Sequence, residues 1–183
     1  EYSHNNKSIK ITPSVNGLPT ILDKDILLYI ASSLINAKNN GDPISQYVRF
    51  TSYDYLVTTN RGTGGEQYNQ MKAALFRLRG TVIETNIKTN GVEVTDGFGL
   101  IDNYRIIKEG KNGKALAMEV KLNDWFYNSI TGNEVLTIDR EYFRLKKPTD
   151  RRLYELARKH CGNQNIWKIS LNNLKKKLGT VSP

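Results

Sequence analysis

Side chains able to do covalent chemistry are few in this chain and widely scattered. There are two histidines, His4 and His160, and one cysteine, Cys161. A bound metal needs ligands clustered at short spacing, such as a histidine pair or Cys-x-x-Cys, and the sequence has neither. Tyr53 and Tyr55 are placed like the nucleophile of a DNA-nicking enzyme. Such an enzyme also needs a metal held by grouped histidines, so both tyrosines are expected to pack helix faces instead. Arg61-Gly62-Thr63-Gly64-Gly65 is glycine-rich but lacks the Gly-Lys-Ser/Thr ending of a nucleotide-binding loop. It reads as a turn whose exposed amides, at the next helix start, could hold a phosphate. Cys161 reads as structural. The expectation is a protein that is not an enzyme and has no cofactor and no metal.

What the sequence does offer is non-covalent recognition of a polyanion. Basic residues number 27 against 18 acidic, a net charge of +9. From Glu1 to Phe143 the two kinds balance at 16 each, and from Arg144 to Pro183 there are 11 basic and 2 acidic residues. The whole excess lies in the last forty residues, which marks that end as the partner of a polyanion.

These groups must be positioned by the stretch Phe50 to Thr89, read as helix, glycine turn, helix and strand. Thr51 with Asp54, and Thr63 with Glu66, each look like a capping box. Thr59-Asn60-Arg61-Gly62 breaks the chain between them. Two helix starts twelve positions apart are the layout of a helix-turn-helix. In the second helix Tyr68, Met71, Leu75 and Leu78 form an apolar stripe. Asn69, Gln70, Ala73 and Arg77 take the opposite face, with Lys72 and Arg79 on the flank and Gly80 closing the helix. A short polar and basic face of this kind suits a DNA major groove, and it also suits plain solvent. Lys72 and Arg77 lie off the stripe, so truncating either is expected to cost about 0.5 kcal/mol or less in stability. Thr81 to Thr89 alternates as a strand, and a strand after the reading helix is the order of a winged helix.

The flanking segments fit around this unit. Residues 1–19 are polar, with Ile9, Ile11 and Val15 as a short strand limited by Pro13 and Pro19. A first helix, capped by Asp23 or Thr20, carries Ile26, Leu27, Ile30, Leu34 and Ile35. Tyr47 to Phe50 is a short strand. Asn90-Gly91 marks a hairpin turn. Phe98 to Lys108 and Ala115 to Leu122 read as a hairpin whose tip bears Lys108, Lys111 and Lys114, placed to touch phosphates or simply to keep the tip soluble. Asn123 caps a short helix with Trp125, Phe126 and Ile130 inward. A strand over Val135 to Ile138 and a turn capped by Asp139 follow. Lys146-Lys147-Pro148 looks like a boundary. Beyond it, Thr149 or Asp150 caps a helix and Ser170 caps another, with Leu171, Leu174 and Leu178 on one face. Ser182-Pro183 opens a further helix, so the chain stops where a second reading helix should begin. The resulting division is 1–19 as an N-terminal extension, 20–147 as a first winged-helix domain of α+β class, and 148–183 as a partial second one, an imperfect internal repeat.

One cysteine excludes an internal disulfide framework and fits a reducing cytoplasm. No run approaches a membrane span and no signal peptide is present. The chain opens on Glu1 rather than methionine, as a fragment or trimmed chain would.

Ala74-Leu75-Phe76-Arg77-Leu78-Arg79-Gly80 followed by Thr81 to Thr85 resembles a block of plasmid replication initiators, specifically the replication initiator protein A family. So do Phe98-Gly99-Leu100-Ile101, Leu122-Asn123-Asp124-Trp125, Tyr142-Phe143-Arg144-Leu145 and Arg152 to His160. The resemblance covers about residues 18 to 183. It implies tandem winged-helix domains on repeated origin sites in double-stranded DNA, a first domain that supports a homodimer, and recruitment of host replication proteins. It places the protein with plasmid DNA in the cytoplasm. The expected DNA contacts are Asn69, Gln70, Lys72, Arg77 and Arg79 in the first domain. In the second they are Lys146, Lys147, Arg151, Arg152, Lys175, Lys176 and Lys177. A winged-helix repressor, and a first domain that dimerises without reading DNA, remain open on the residues alone.

Overall fold

The computed structural model describes residues 2–4, 7–92, 97–109, 114–162 and 164–179; the side chains of 2–4, 109 and 114–116 are not described. The chain divides into two compact units, Glu1–Val135 and Leu136–Pro183. The division falls ahead of Lys146-Lys147-Pro148, so residues 136–147 go with the second unit.

The first unit has the element order β1 (Tyr2–His4), β2 (Lys7–Thr12), α1 (Lys24–Asn39), β3 (Tyr47–Phe50), α2 (Ser52–Thr58), α3 (Gly65–Gly80), β4 (Val82–Thr85), β5 (Ile101–Glu109), β6 (Lys114–Leu122) and α4 (Asp124–Thr131). Helix α1 forms because Ile26, Leu27, Ile30, Ala31 and Leu34 recur at helical spacing and all are buried. Thr20 and Asp23 lock its entry turn: the Thr20 amide donates to Asp23 Oδ2 at 2.7 Å and the Asp23 amide to Thr20 Oγ1 at 3.2 Å. The same buried cluster includes Tyr55 and Leu56 of α2, Met71, Ala74, Leu75 and Leu78 of α3, Met118, Val120 and Leu122 of β6, and Ile130 of α4. The core of this unit is thus built from helices α1 to α4 together with the strands β3, β5 and β6.

Those strands form a sheet of order β3-β6-β5, all antiparallel. Strict alternation drives it. Phe50, Met118, Val120 and Leu122 turn inward, while Tyr47 and Arg49 face solvent. A second three-stranded sheet, β1-β2-β4, was not legible in the sequence. The alternating stretch Thr81 to Thr89 forms a strand only over Val82–Thr85, and its partner is the N-terminal β2. The register pairs Ile9 with Thr85 and Ile11 with Ile83. The Thr85 hydroxyl donates to Ser8 O at 2.7 Å, and Lys10 pairs with Glu84 at 3.1 Å. So Tyr2–His4 and Lys7–Thr12 are paired strands of this sheet.

Several expected caps form and others do not. Thr51 Oγ1 accepts from the Asp54 amide at 3.0 Å and donates to Asp54 Oδ2 at 2.6 Å, a local box at the start of α2. Asn123 caps α4 through the Phe126 amide at 2.9 Å. The Thr63–Glu66 box does not form: Gly64 is the cap residue of α3, with no side-chain cap bond, and Glu66 instead accepts from Gln70. The helix simply starts one residue later than Thr63 could serve. Asn90 and Gly91 have φ of 47° and 77°, and Thr89 bridges Val92, the tight turn that Asn-Gly favours.

The second unit comprises a 3-10 turn (Arg140–Arg144), α5 (Pro148–Cys161) and α6 (Leu171–Leu178). The expected strand over Val135 to Ile138 is not formed there. Pro148 takes the first helical position with Lys147 as cap residue, so neither Thr149 nor Asp150 caps α5. Proline suits that position because its missing N–H would have had no helical partner. The unit is built around Tyr142, which is fully buried. Its hydroxyl donates to Glu155 Oε1 at 2.7 Å, and the Arg151 guanidinium lies 4.9 Å from its ring centre. Helix α6 is capped by Ser170 and closed by left-handed Gly179, yet buries no residue; Leu171 is 67% exposed. The helix-start signal Ser182-Pro183 lies outside the described residues. No described helix is long and apolar enough to cross a membrane.

Candidate nucleic-acid interface

Helices α2 and α3 are joined by the turn Thr59–Gly64. Thr59 is buried and its hydroxyl donates to Tyr55 O at 2.8 Å. Asn60 takes a left-handed φ of 54°, which reverses the chain, and the Arg61 amide returns to Leu56 O at 2.8 Å. Asparagine tolerates that conformation better than most residues. Tyr55 is 1% exposed and sits edge-on to Tyr29, which also touches Phe50; burial pushes its phenol above the usual range. Tyr53, by contrast, is 59% exposed.

With Met71, Ala74, Leu75 and Leu78 buried, α3 turns Asn69, Gln70, Lys72, Phe76 and Arg79 outward. Gln70 donates to Glu66 Oε1 at 3.0 Å, one turn back. Lys72 is exposed. Arg79 is exposed, and its Nε donates to Asp102 O at 3.3 Å, which steadies the arginine. Phe76, Arg79 and Gly80 together with Asn103 and Tyr104 of β5 line an open groove of about 310 Å³. Phe76, which lies off the apolar stripe, is 39% exposed.

Arg77 is placed differently from its neighbours. Its Nε donates to Asp23 Oδ2 and its Nη2 to Asp23 Oδ1, both at 2.8 Å, and its side chain is only 22% exposed. Those hydrogen bonds raise the arginine pKa further. Arg77 is therefore tied to the start of α1 and does not share the open face with Lys72. Truncating an arginine paired in this way is expected to cost more stability than truncating one that only faces solvent. Nothing in the sequence signals the pair, because Asp23 and Arg77 are remote in the chain and Asp23 reads locally as a helix cap.

The second unit brings a further set of cations to its surface. Lys146, Lys147, Lys175, Lys176 and Lys177 are exposed. Arg152 is partly engaged, donating to Lys177 O at 3.3 Å and lying 3.6 Å from Glu155. Arg151 is not a surface residue: it is 3% exposed and donates to Leu145 O at 2.6 Å. Its charge is spent inside the fold, over Tyr142. Lys108 is exposed, whereas Lys111 and the Lys114 side chain lie outside the described residues.

The sequence matches the family described as "Replication initiator protein A" along residues 1–183. The chain belongs to the replication initiator protein A family. A relative from Wigglesworthia glossinidia brevipalpis, named "Putative replication protein", is 41% identical over 184 residues, covering 99% of this chain and 67% of that protein. The fold is similar to the crystal structure of RctB domains 2-3, with a TM-score of 0.69 at 14% identity over 96% of this chain and 68% of that one. A selenomethionine derivative of RctB domains 2 and 3 gives a TM-score of 0.61 at 12% identity, over 96% of this chain and 73% of that one. At such identity the likeness is one of fold, and it establishes a mixed α/β architecture shared with the RctB domains.

Proposed function

We propose that this member of the replication initiator protein A family binds duplex DNA at an origin through winged-helix readers and acts without a catalytic step. The observation that carries this reading is topological. Helix, strand, helix and helix (α1, β3, α2, α3) are followed by a hairpin (β5 and β6) whose second strand pairs with the early strand, giving the order β3-β6-β5. That is the arrangement in which a helix-turn-helix presents its second helix and a hairpin to DNA. The outward face of α3 supplies Asn69 and Gln70 for base edges and Lys72 and Arg79 for phosphates. In the second unit Lys146, Lys147, Arg152 and Lys175 to Lys177 are the phosphate ligands. Unit 2 carries 12 basic and 4 acidic residues, a balance of +8.

The test is a gel shift on a duplex enriched from a random library by binding to this chain, against a scrambled duplex. Lys72→Ala is expected to weaken binding to both duplexes, and Asn69→Ala to lose discrimination between them. If neither substitution changes binding, the α3 face is not a reader. One observation favours a second role for the first unit. It carries 15 basic and 14 acidic residues, so its charge nearly cancels. This supports a share in assembly, as one half of a homodimer or a contact for host replication proteins.

A further inference from the structure

Two carboxylates at the start of α1 each hold an arginine from the helix-turn-helix. Asp23 chelates Arg77 of α3 through both oxygens at 2.8 Å. Asp25, fully buried, accepts from Arg61 Nη2 at 2.8 Å, and the same nitrogen donates to Leu22 O at 2.7 Å. One pair grips the turn between α2 and α3; the other grips α3 near its end. Buried pairs of this kind add little net stability, because desolvation offsets the Coulomb gain, whereas removing one partner leaves an uncompensated charge and is costly. A planar guanidinium bound to both carboxylate oxygens fixes direction as well as distance. A helix held only by an apolar stripe can rotate or slide, and a shift of one turn moves a side chain by about 5.4 Å. That is enough to carry Asn69 or Gln70 from one base pair to the next.

We infer that Asp23 and Asp25, through Arg77 and Arg61, set the rotation and axial position of α3, so that Arg77 is a positioning residue for DNA reading and not a phosphate ligand. The inference rests on the proposed DNA-binding role of α3. Two further features agree with it. The carboxylates lie at a helix N-terminus, where the dipole favours negative charge. Asp23 Oδ2 is also fixed by the Thr20 amide at 2.7 Å, so the anchor is rigid before the arginine arrives.

The test uses the 183-residue chain and a labelled duplex enriched by binding to it, with a scrambled duplex as control. Asp23→Asn keeps an acceptor for the Thr20 amide and removes the charge. A positioning role predicts that Asp23→Asn lowers affinity for the enriched duplex about tenfold and narrows its preference over the scrambled one. A phosphate-ligand role predicts the opposite sign, because removing an anion beside a DNA-contacting arginine strengthens binding. Arg77→Gln gives the second measurement. Loss of a phosphate contact reduces the slope of log affinity against log salt by about 0.9, whereas loss of a positioning residue lowers affinity with the slope unchanged. Binding is measured at a temperature where circular dichroism shows every variant folded. Lower melting temperature with unchanged affinity and preference means the pair only stabilises the fold, and overturns the inference. Tighter binding by Asp23→Asn, or a reduced slope for Arg77→Gln, overturns it too. If the unsubstituted chain binds neither duplex, the DNA-binding reading itself fails and takes this inference with it.

Discussion

At the scale of single residues, burial separates cations that look alike in sequence. Lys72 and Arg77 both lie off the apolar stripe of α3, yet Lys72 is exposed and Arg77 is chelated by Asp23. Lys72→Ala is expected to change stability by about 0.5 kcal/mol or less. Arg77→Ala strips two charge-assisted hydrogen bonds and strands a nearly buried carboxylate, for an expected loss of about 1–3 kcal/mol. Thermal melts of the two variants decide this directly. Equal melting temperatures would show that the Asp23 pair is idle. Arg151 makes the same point in the second unit, where one arginine of the Arg151-Arg152 pair is swallowed by the Tyr142 site. Periodicity reveals which face a residue occupies, but not whether a carboxylate from another helix waits there. His160 carries a pH prediction. Its ring stacks on Trp167 at 4.7 Å, and partial burial together with Lys177 and Lys159 lowers its pKa below 6.5. A histidine whose folded pKa is depressed contributes stability at pH above its unfolded value, and that contribution is lost as pH falls through the folded value. Trp167 emission, read in a Trp125→Phe background, is expected to hold steady above about pH 6.5, the ordinary histidine value. It is then expected to change on acidification below that, and His160→Phe should abolish the change. A titration that survives His160→Phe would assign it elsewhere.

At the scale of elements, what was legible followed from local rules, and what was missed followed from distant partners. Helix α1, the stripe of α3, the hairpin strands β5 and β6, and the caps Thr51, Asn123, Asp139 and Ser170 all rest on residues within one or two turns of each other. The fate of Thr81 to Thr89 does not. Its alternation marks a strand, but only the presence of residues 7–12 decides that it joins β2 and not the sheet of β3, β5 and β6. Gly99 shows how closely elements approach. A Cβ there would lie 2.7 Å from Arg79 O and 3.0 Å from Ile101 O, both backbone atoms that cannot swing aside. Gly99→Ala is therefore expected to push the end of α3 from the start of β5 and cost about 1–3 kcal/mol. Leu75, fully buried in α3, is expected to cost about 2–5 kcal/mol on truncation to alanine. Chemical denaturation of both variants checks these values, and a Gly99→Ala midpoint equal to the parent's would mean the backbone there has slack. Helix α6, with no buried residue, is expected to be the first element to exchange its amides. Hydrogen exchange slower in α6 than in α1 would contradict that order.

At the scale of the whole molecule, the chain joins a nearly neutral first unit to a basic second one, and membership of the replication initiator protein A family gives that asymmetry a setting. The asymmetry was legible from residue counts alone, because charge along a chain does not depend on folding. The placement of the candidate site was legible in part. The open face of α3 holds Asn69, Gln70, Lys72 and Arg79 as expected, while Arg77 and Arg151 are drawn inward by Asp23 and Tyr142. The groove lined by Phe76 and Tyr104 had no counterpart in the sequence reading, since it arises where a helix end meets a strand far along the chain. The central claim, that this chain recognises duplex DNA through exposed cations, meets its most direct test in fluorescence anisotropy of a labelled duplex across a salt series. Each neutralised phosphate adds about −0.9 to the slope of log affinity against log salt, so engagement of two or more predicts at least about a tenfold loss of affinity between about 50 and 200 mM salt. Binding that does not change with salt, or no binding even at the lowest salt, would contradict the account.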